Sequence, residues 1–225
     1  MQDPNYVRDA FSRIAERYVS TNHVLSLGID VLWRKRVAQL VEGWQPNSVL
    51  DVATGSGDLA MAIREVLPKE TRIVGSDFCE PMLNEARKRF DGEWLVADAM
   101  DMPFADAEFD ALTVAFGLRN MADWPKALQE MRRVLGPEGH LLILDFSQPG
   151  GTFGKGYDFY LTKVLPKIAG ALTGHADAYE YLGGSIQKFP SGKDMLDLVE
   201  ANGFTDGYWE PLSGGIASIY TARCC

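Results

Sequence analysis

The sequence predicts an α/β protein with a doubly wound, mostly parallel sheet of seven strands and helices on both faces. Short apolar runs alternate with helical patterns between residues 48 and 146, which is typical of βαβ units. Some of these runs, such as residues 109–116, are apolar almost throughout, as strands buried on both faces are. Together these observations favour a sheet covered by helices on each side.

The predicted core alternates strands and helices along the chain. The predicted strands are apolar runs bounded by turn residues: 48–53, 72–77, 93–98, 109–116 and 140–146. The predicted helices carry amphipathic patterns between those strands: 58–67, 81–90 and 124–135. Pro68 stops the first of these helices, Pro81 suits the first turn of the second, and residues 136–139 predict a turn.

Helical regions flank this core on both sides. Residues 5–42 predict two or three helices, with Leu32, Trp33 and Val37 among the apolar positions. Residues 150–190 predict a helical insertion that Pro166 kinks or splits. The expected single domain therefore has four parts: an N-terminal helical lid at 1–45, a core at 46–149, the insertion at 150–190, and a closing helix with strands at 191–225.

The closing part is predicted to hold one helix and two strands. Ser191 can cap a helix that runs to about residue 202, and Gly203 suits a left-handed stop after it. Residues 205–210 and 216–222 predict two final strands, antiparallel at the edge of the sheet.

Composition and charge exclude several classes of protein. The 225 residues are 46% hydrophobic and 24% charged, which is ordinary globular usage and excludes a disordered, collagen-like or coiled-coil chain. A net charge of −9 disfavours nucleic-acid binding, because phosphate neutralisation needs clustered cations. Cys79, Cys224 and Cys225 lack metal-ligand spacing, so no metal is expected. With no signal-peptide pattern and no long apolar run, a cytoplasmic location is expected.

The strongest local motif is D-V-A-T-G-S-G-D at residues 51–58, between a buried strand and a helix. Open parallel sheets bind ligands at such a place, beyond the carboxyl ends of their strands. Gly55 and Gly57 allow the backbone to approach a ligand closely. The pattern G-x-G-x-x-A leaves a dinucleotide open, and the phosphate-loop motif is absent.

Acidic residues at successive strand ends favour a different ligand. Asp77 ends the second predicted strand, where an acid can accept from two ribose hydroxyls, and Asp98 ends the third, beside an adenine edge. Asp51 and Asp58 disfavour a pyrophosphate and favour a cationic sulfonium, so S-adenosylmethionine is expected over NAD. Without a ligand, these acids would be turn formers and strand-end caps. The candidate donor-binding residues are Asp51, Gly55, Ser56, Gly57, Asp77, Phe78, Asp98 and Ala99.

Further motifs are spread along the chain: F-S-R-I-A-x-x-Y at 11–18, F-G-L-R-N at 116–120, D-F-S-x-P at 145–149, Y-x-Y-L-x-x-S-I at 179–186 and L-S-G-G-I at 212–216. With residues 51–58, they resemble the ubiquinone/menaquinone biosynthesis C-methyltransferases, the UbiE/MenG family, over nearly the whole chain. The resemblance implies a Rossmann-like methyltransferase fold with S-adenosylmethionine as donor. Ala115 and Gln148 depart from the family, which often has Ser and Lys there.

The resemblance also implies the acceptor. It is a prenylated quinol, foremost demethylmenaquinol, with the methoxy-benzoquinol of the ubiquinone pathway as a further substrate. Tyr18, Phe116 and Tyr181 are candidate substrate contacts. The insertion would lie on the substrate side, and peripheral contact with the inner face of the membrane and a homodimer are further expectations. The alternatives are a small soluble phenol as acceptor, a non-catalytic S-adenosylmethionine-binding subunit, and an NAD-dependent oxidoreductase.

The chemistry supplies its own candidates. A ring carbon becomes nucleophilic when the neighbouring hydroxyl ionises, and phenols have a pKa of about 10, so the site must stabilise an oxyanion. Arg119 could provide that charge, or it could pair with Asp123 or another acid. A water held by Arg119 and Asn120 is one proton route, and His23 is a candidate base.

Overall fold

The computed structural model describes residues 28–151, 154, 156–157 and 184–225 of the chain. One sheet holds seven strands: β1 Ser48–Val52, β2 Arg72–Asp77, β3 Glu93–Val96, β4 Phe109–Ala115, β5 Leu135–Phe146, β6 Phe204–Leu212 and β7 Ala217–Cys224. The helices with described ends are α1 Ile29–Trp44, α2 Asp58–Val66, α3 Glu80–Arg89, α4 Trp124–Val134 and α5 Lys193–Ala201.

The strand order is β3-β2-β1-β4-β5-β7-β6. The first five strands are parallel, whereas β7 runs antiparallel to both β5 and β6. The predicted mostly parallel sheet is therefore confirmed, and its two closing strands pair antiparallel with each other, β7 being the strand that runs against the rest. The chain reverses its lateral direction between β3 and β4, so the carboxyl ends of β1 and β4 lie at the topological switch point.

Both faces of the sheet are buried. Successive β1 residues alternate between faces: Leu50 packs in the cluster that includes α4 and α5, and Val49 packs in the cluster that includes α1 and α2. This two-sided burial explains why the strands read as continuous apolar runs. At roughly 1.5–3 kcal/mol for each large buried apolar side chain, the two clusters supply the main driving force for folding.

Local signals set most helix ends. The Asp123 carboxylate accepts from the Lys126 N–H at 3.0 Å and caps α4, and Pro81 lies in the first turn of α3 as predicted. Gly203 follows α5 with a φ of 89°, which confirms the left-handed stop. The predicted cap at Ser191 is wrong: Gly192 is the N-cap residue and makes no side-chain capping bond.

Two further details differ from the sequence prediction. Leu32 is 63% exposed, because the buried stripe of α1 runs through Trp33, Val37 and Val41 at a spacing of four residues. The predicted turn at 136–139 lies inside β5. There the pairing moves from Phe109 with Leu135 to Ala111 with His140, so these residues bulge out of the ladder.

Several predictions concern other parts of the chain. The predicted helices before residue 28, the split at Pro166 and most of the insertion at 150–190 lie outside the described residues. In the described ranges, no helix combines the length and hydropathy that crossing a membrane requires.

Candidate active site

A cavity of about 1060 Å³, including its open mouth, lies at the carboxyl ends of β1 to β4. Its walls come from the segments that follow these strands and from Arg34 of α1. This is the edge at which doubly wound sheets bind ligands. Most of the predicted donor-binding residues meet here: Asp51, Gly55, Ser56, Asp77, Phe78, Asp98 and Ala99 all line the cavity.

The glycine-rich turn after β1 is shaped by Trp94 of β3. Gly55 and Gly57 have φ values of 59° and 80°, in the left-handed region where glycine is unstrained. A Cβ added at Gly57 would lie 2.6 Å from Cη2 of Trp94, and one added at Gly75 would clash with the same indole. Trp94 therefore explains why glycine is needed at Gly57 and Gly75. Gly57 does not line the cavity and supports the turn from outside it.

Asp51 lies buried in β1 at the base of the cavity. Its Oδ1 accepts from the Thr113 hydroxyl at 2.7 Å, and its Oδ2 accepts from the Thr54 hydroxyl at 2.5 Å. Burial raises the pKa of Asp51 to about 6, although both hydroxyls and the charge of Arg34 oppose this shift. A cationic ligand beside this carboxylate would favour its ionised form.

Asp77 joins the glycine-rich turn to the end of β2. Its Oδ2 accepts from the Gly55 N–H and its Oδ1 from the Cys79 N–H, both at 2.8 Å. Burial raises the pKa of Asp77 to about 6, and the N–H bonds oppose that shift. Each carboxylate oxygen has a second lone pair, so Asp77 can accept from ribose hydroxyls while it holds the turn.

The wall after β3 offers both a polar edge and apolar surface. Asp98 accepts from the Met100 N–H at 2.9 Å, and Ala99 lies between them on the cavity wall. Phe78 faces the same cavity. This combination suits an adenine ring, which has flat faces and a polar edge.

Ser56 and Asp58 fix the start of α2. The Ser56 hydroxyl donates to Oδ2 of Asp58 at 2.7 Å, and Arg89 pairs with Oδ1 of Asp58 at 2.8 Å. Hydrogen bonds from Arg89 and Ser56 and the charge of Arg34 hold the pKa of Asp58 below its usual value against the opposing effect of burial. Asp58 is thus an ionised acid on the cavity wall.

The segment after β4 forms the opposite wall. Phe116 lines the cavity with a φ of 57°, an unusual value for a non-glycine residue. Its carbonyl accepts from the Asn120 amide at 3.2 Å and from the Arg119 guanidinium at 2.5 Å. Asn120 also lines the cavity, so both of these candidate residues lie on this wall.

Arg119 pairs with an acid other than Asp123, which is one of the two placements that the sequence left open. It does not line this cavity; its guanidinium is buried behind the wall and donates to Oδ1 of Asp145 at 2.7 Å. The suggested partner Asp123 instead caps α4. Because Asp145 neutralises the guanidinium, a role for Arg119 in holding Phe116 fits this geometry better than direct contact with substrate. The candidate residues Tyr18, His23 and Tyr181 lie outside the described residues.

Arg34 is a charged wall residue that the sequence interpretation missed. It pairs with Asp30 one turn earlier on α1, and its guanidinium carbon lies 5.8 Å from the centre of the Phe116 ring. The spacing of an acid and an arginine four residues apart was visible, but such a pair usually marks only an exposed helix face.

The strand order, with an acid-lined cavity at the switch point, is that of a Rossmann-like methyltransferase fold. The family and the relatives that the chain matches make it an S-adenosylmethionine-dependent methyltransferase. The acids suit the sulfonium and ammonium charges of that donor, and the wall after β3 suits its adenine. The chain matches the model of the ubiE/COQ5 methyltransferase family over residues 1–223 and belongs to that family.

Two curated relatives match the sequence of this chain over nearly its full length. The demethylmenaquinone methyltransferase of Thermus thermophilus is 43% identical over 216 residues, covering 93% of this chain and 97% of the relative. The ubiquinone/menaquinone biosynthesis C-methyltransferase UbiE of Bdellovibrio bacteriovorus is 40% identical over 225 residues, covering 97% and 95%.

Solved structures agree with the fold. An S-adenosylmethionine-dependent methyltransferase of Thermotoga maritima superposes with a TM-score of 0.69 at 18% identity, covering 96% of this chain and 98% of that one. One from Aquifex aeolicus gives a TM-score of 0.62 at 19% identity, covering 85% and 89%.

Proposed function

We propose that this chain transfers a methyl group from S-adenosylmethionine to a ring carbon of a prenylated quinol, most of all demethylmenaquinol. The observation that carries the proposal is the cavity with Asp51, Asp58, Asp77 and Asp98 in its walls at the carboxyl ends of β1 to β3. The curated relatives named demethylmenaquinone methyltransferase support this choice of acceptor. The proposal includes peripheral contact with a membrane, where a prenylated acceptor resides.

Each part of the donor is assigned to residues in or after a different strand. Asp98 and Ala99 follow β3 and receive the adenine, and Asp77 at the end of β2 receives the ribose hydroxyls. Asp51 of β1 and the turn at Gly55 and Ser56 receive the amino-acid part. When bound, S-adenosylmethionine supplies an electrophilic methyl group on a sulfonium sulfur.

The acceptor side lies against the segment after β4. Phe116 supplies an aromatic wall, and Asn120 supplies an amide that can bond a quinol oxygen. A base takes the quinol hydroxyl proton, and His23 remains our proposed base. The phenolate then directs electrons to the ring carbon, which forms a bond to the methyl carbon as the sulfur–methyl bond breaks. Loss of the ring hydrogen as a proton restores aromaticity. Because opposite charges are neutralised in this step, a dry cavity favours it.

The test is transfer of labelled methyl groups to a panel of reduced quinones. We expect label on the ring carbon of demethylmenaquinol, with transfer falling at least tenfold when the prenyl tail is removed. Equal transfer to tailless quinols would instead favour a small phenolic acceptor. Binding of the donor with no label on any quinol would contradict the proposal and favour a non-catalytic subunit.

Donor affinity is expected to fall in mild acid. Burial raises the pKa values of Asp51 and Asp77 to about 6 in the free protein, whereas a cationic donor binds the ionised carboxylates. Affinity should therefore reach its plateau near pH 7 and drop roughly tenfold per pH unit, for each coupled acid, below about pH 6. Calorimetric titration across this range measures the effect.

The matched control is Asp51→Asn, which keeps the shape of the side chain but cannot ionise. This variant should bind more weakly at neutral pH and show a shallower pH dependence. An affinity for the wild type that stays flat from about pH 7 to about pH 5 would rule out this linkage.

A further inference from the structure

We propose that Arg34 of α1 binds the carboxylate in the amino-acid part of S-adenosylmethionine and makes the site selective for donors that carry this group. The inference rests on the proposed function, since it assumes this donor. It gives a binding partner to the donor's carboxylate, which is the charged group that the acids in the cavity cannot bind. Of the residues selected from the sequence, those that the structure places in the cavity wall include no cation.

The charges on the cavity wall leave one place for an anion. The charged side chains that line it, within the described residues, are Asp51, Asp58, Asp77, Asp98 and Arg34. The donor carries a sulfonium, an ammonium and a carboxylate. The aspartates suit the two cations but repel the carboxylate, and Arg34 is the cation that these walls offer it.

Position across the sheet agrees with this assignment. Asp98 follows β3, Asp77 ends β2 and Asp51 lies in β1, in the lateral order of the sheet. Adenine and ribose therefore occupy the β3 and β2 side, which leaves the amino-acid part for the β1 side. Arg34 lies on that side, because it shares the cavity wall with Asp51 and Asp58 and approaches Phe116, which follows the neighbouring strand β4. Its charge favours the ionised form of both acids.

The guanidinium is held in place before a ligand arrives. Its Nη1 donates to the buried carboxylate of Asp30, and its carbon lies 5.8 Å from the Phe116 ring centre. A guanidinium has five N–H donors, and in the described part of the chain Asp30 is the one side chain that accepts from it. Nε and Nη2 can therefore form a charge-assisted pair with a second carboxylate. The side chain is 12% exposed, so water screens such a pair weakly.

The experiment compares two ligands by calorimetry: S-adenosylhomocysteine and its decarboxylated analogue. Wild-type protein should prefer the carboxylate-bearing ligand. Arg34→Ala should weaken S-adenosylhomocysteine roughly 10- to 100-fold, the range for a hydrogen bond to a charged group, and leave the analogue within about threefold. Arg34→Lys should keep part of the preference, because it keeps the charge but loses the planar fork.

Two further variants control for indirect effects of Arg34→Ala. Arg36→Ala removes a neighbouring arginine that pairs with Glu210 outside the cavity, and should change neither affinity. Because Arg34→Ala removes the cation that pairs with buried Asp30, the double variant Asp30→Asn/Arg34→Gln replaces the ion pair with neutral groups. It should lose the preference for the carboxylate as Arg34→Ala does.

The outcomes separate the two proposals. Equal weakening of both ligands in the folded variants, or a preference that survives Arg34→Ala, would overturn the assignment of the carboxylate. Wild-type protein that binds neither ligand would overturn the proposed donor as well. Because calorimetry needs no acceptor, failure of the quinol assay leaves this result readable.

Discussion

Replacing Asp77 with alanine is expected to weaken S-adenosylmethionine binding at least a hundredfold. The variant loses the proposed ribose acceptor and also the acceptor for the Gly55 and Cys79 N–H groups. Hydrogen bonds to a charged group contribute about 1.5–3 kcal/mol each, so two ribose contacts alone account for about a hundredfold. Calorimetric titration of the variant with the donor measures the loss.

Asp110 provides a control near the amino end of β4, at the opposite end of the strands from the cavity. Its Oδ2 also accepts two backbone N–H groups, those of Asn47 at 2.7 Å and Ser48 at 3.0 Å. Asp110→Ala should therefore remove a comparable backbone anchor but leave donor affinity unchanged. If folded Asp77→Ala protein binds the donor within tenfold of the wild type, Asp77 is not the ribose acceptor.

Replacing Asp145 with alanine is expected to cost about 3–5 kcal/mol of unfolding free energy, because it removes the buried carboxylate that neutralises the buried Arg119 guanidinium. At roughly 2–4 °C per kcal/mol for a domain of this size, the melting temperature should fall by about 6–20 °C. Differential scanning calorimetry or urea denaturation measures the change. The expected loss is large because both side chains are almost fully buried.

The double variant Arg119→Gln/Asp145→Asn tests whether charge is the cause. It exchanges the ion pair for neutral amides that can still bond each other and the Phe116 carbonyl, so most of the lost stability should return. Additive losses in the double variant would show that the two residues contribute independently. The same variant in the methyl-transfer assay tests Arg119, because a catalytic charge would be lost while the positioning bond remains.

Most of the core could be predicted from the sequence, because parallel strands that are buried on both faces appear as continuous apolar runs. Pro81 and Asp123 lie at the starts of helices, and Gly203 ends one, so local chemistry set these boundaries. Ser191 was a poor guide because the chain needed a positive φ at Gly192, whose N–H donates to Tyr220 from a distant strand. That contact is tertiary and leaves no local pattern.

The candidate site could be predicted where strand order alone brings residues together. Asp51, Asp77 and Asp98 each lie in or just after a strand, so any parallel sheet places them at one edge. The approach of Arg34 depends on how α1 packs on the sheet, which spacing does not encode. The Arg119–Asp145 pair depends on the turn after β4 and on the register of β4 against β5. The support of the glycine-rich turn by Trp94 depends on the register of β2 against β3, which pairs Gly75 with Trp94.

Because β7 lies between β5 and β6, a nascent chain cannot complete the sheet until Ala217–Cys224 has left the ribosome. Until then the outer edge of β5 keeps its backbone groups unpaired while everything between Phe146 and Ala217 is being translated. An open strand edge of this kind invites pairing with other chains. Truncated products that stop before Ala217 should therefore aggregate, and chaperones that shield strand edges should matter most late in translation.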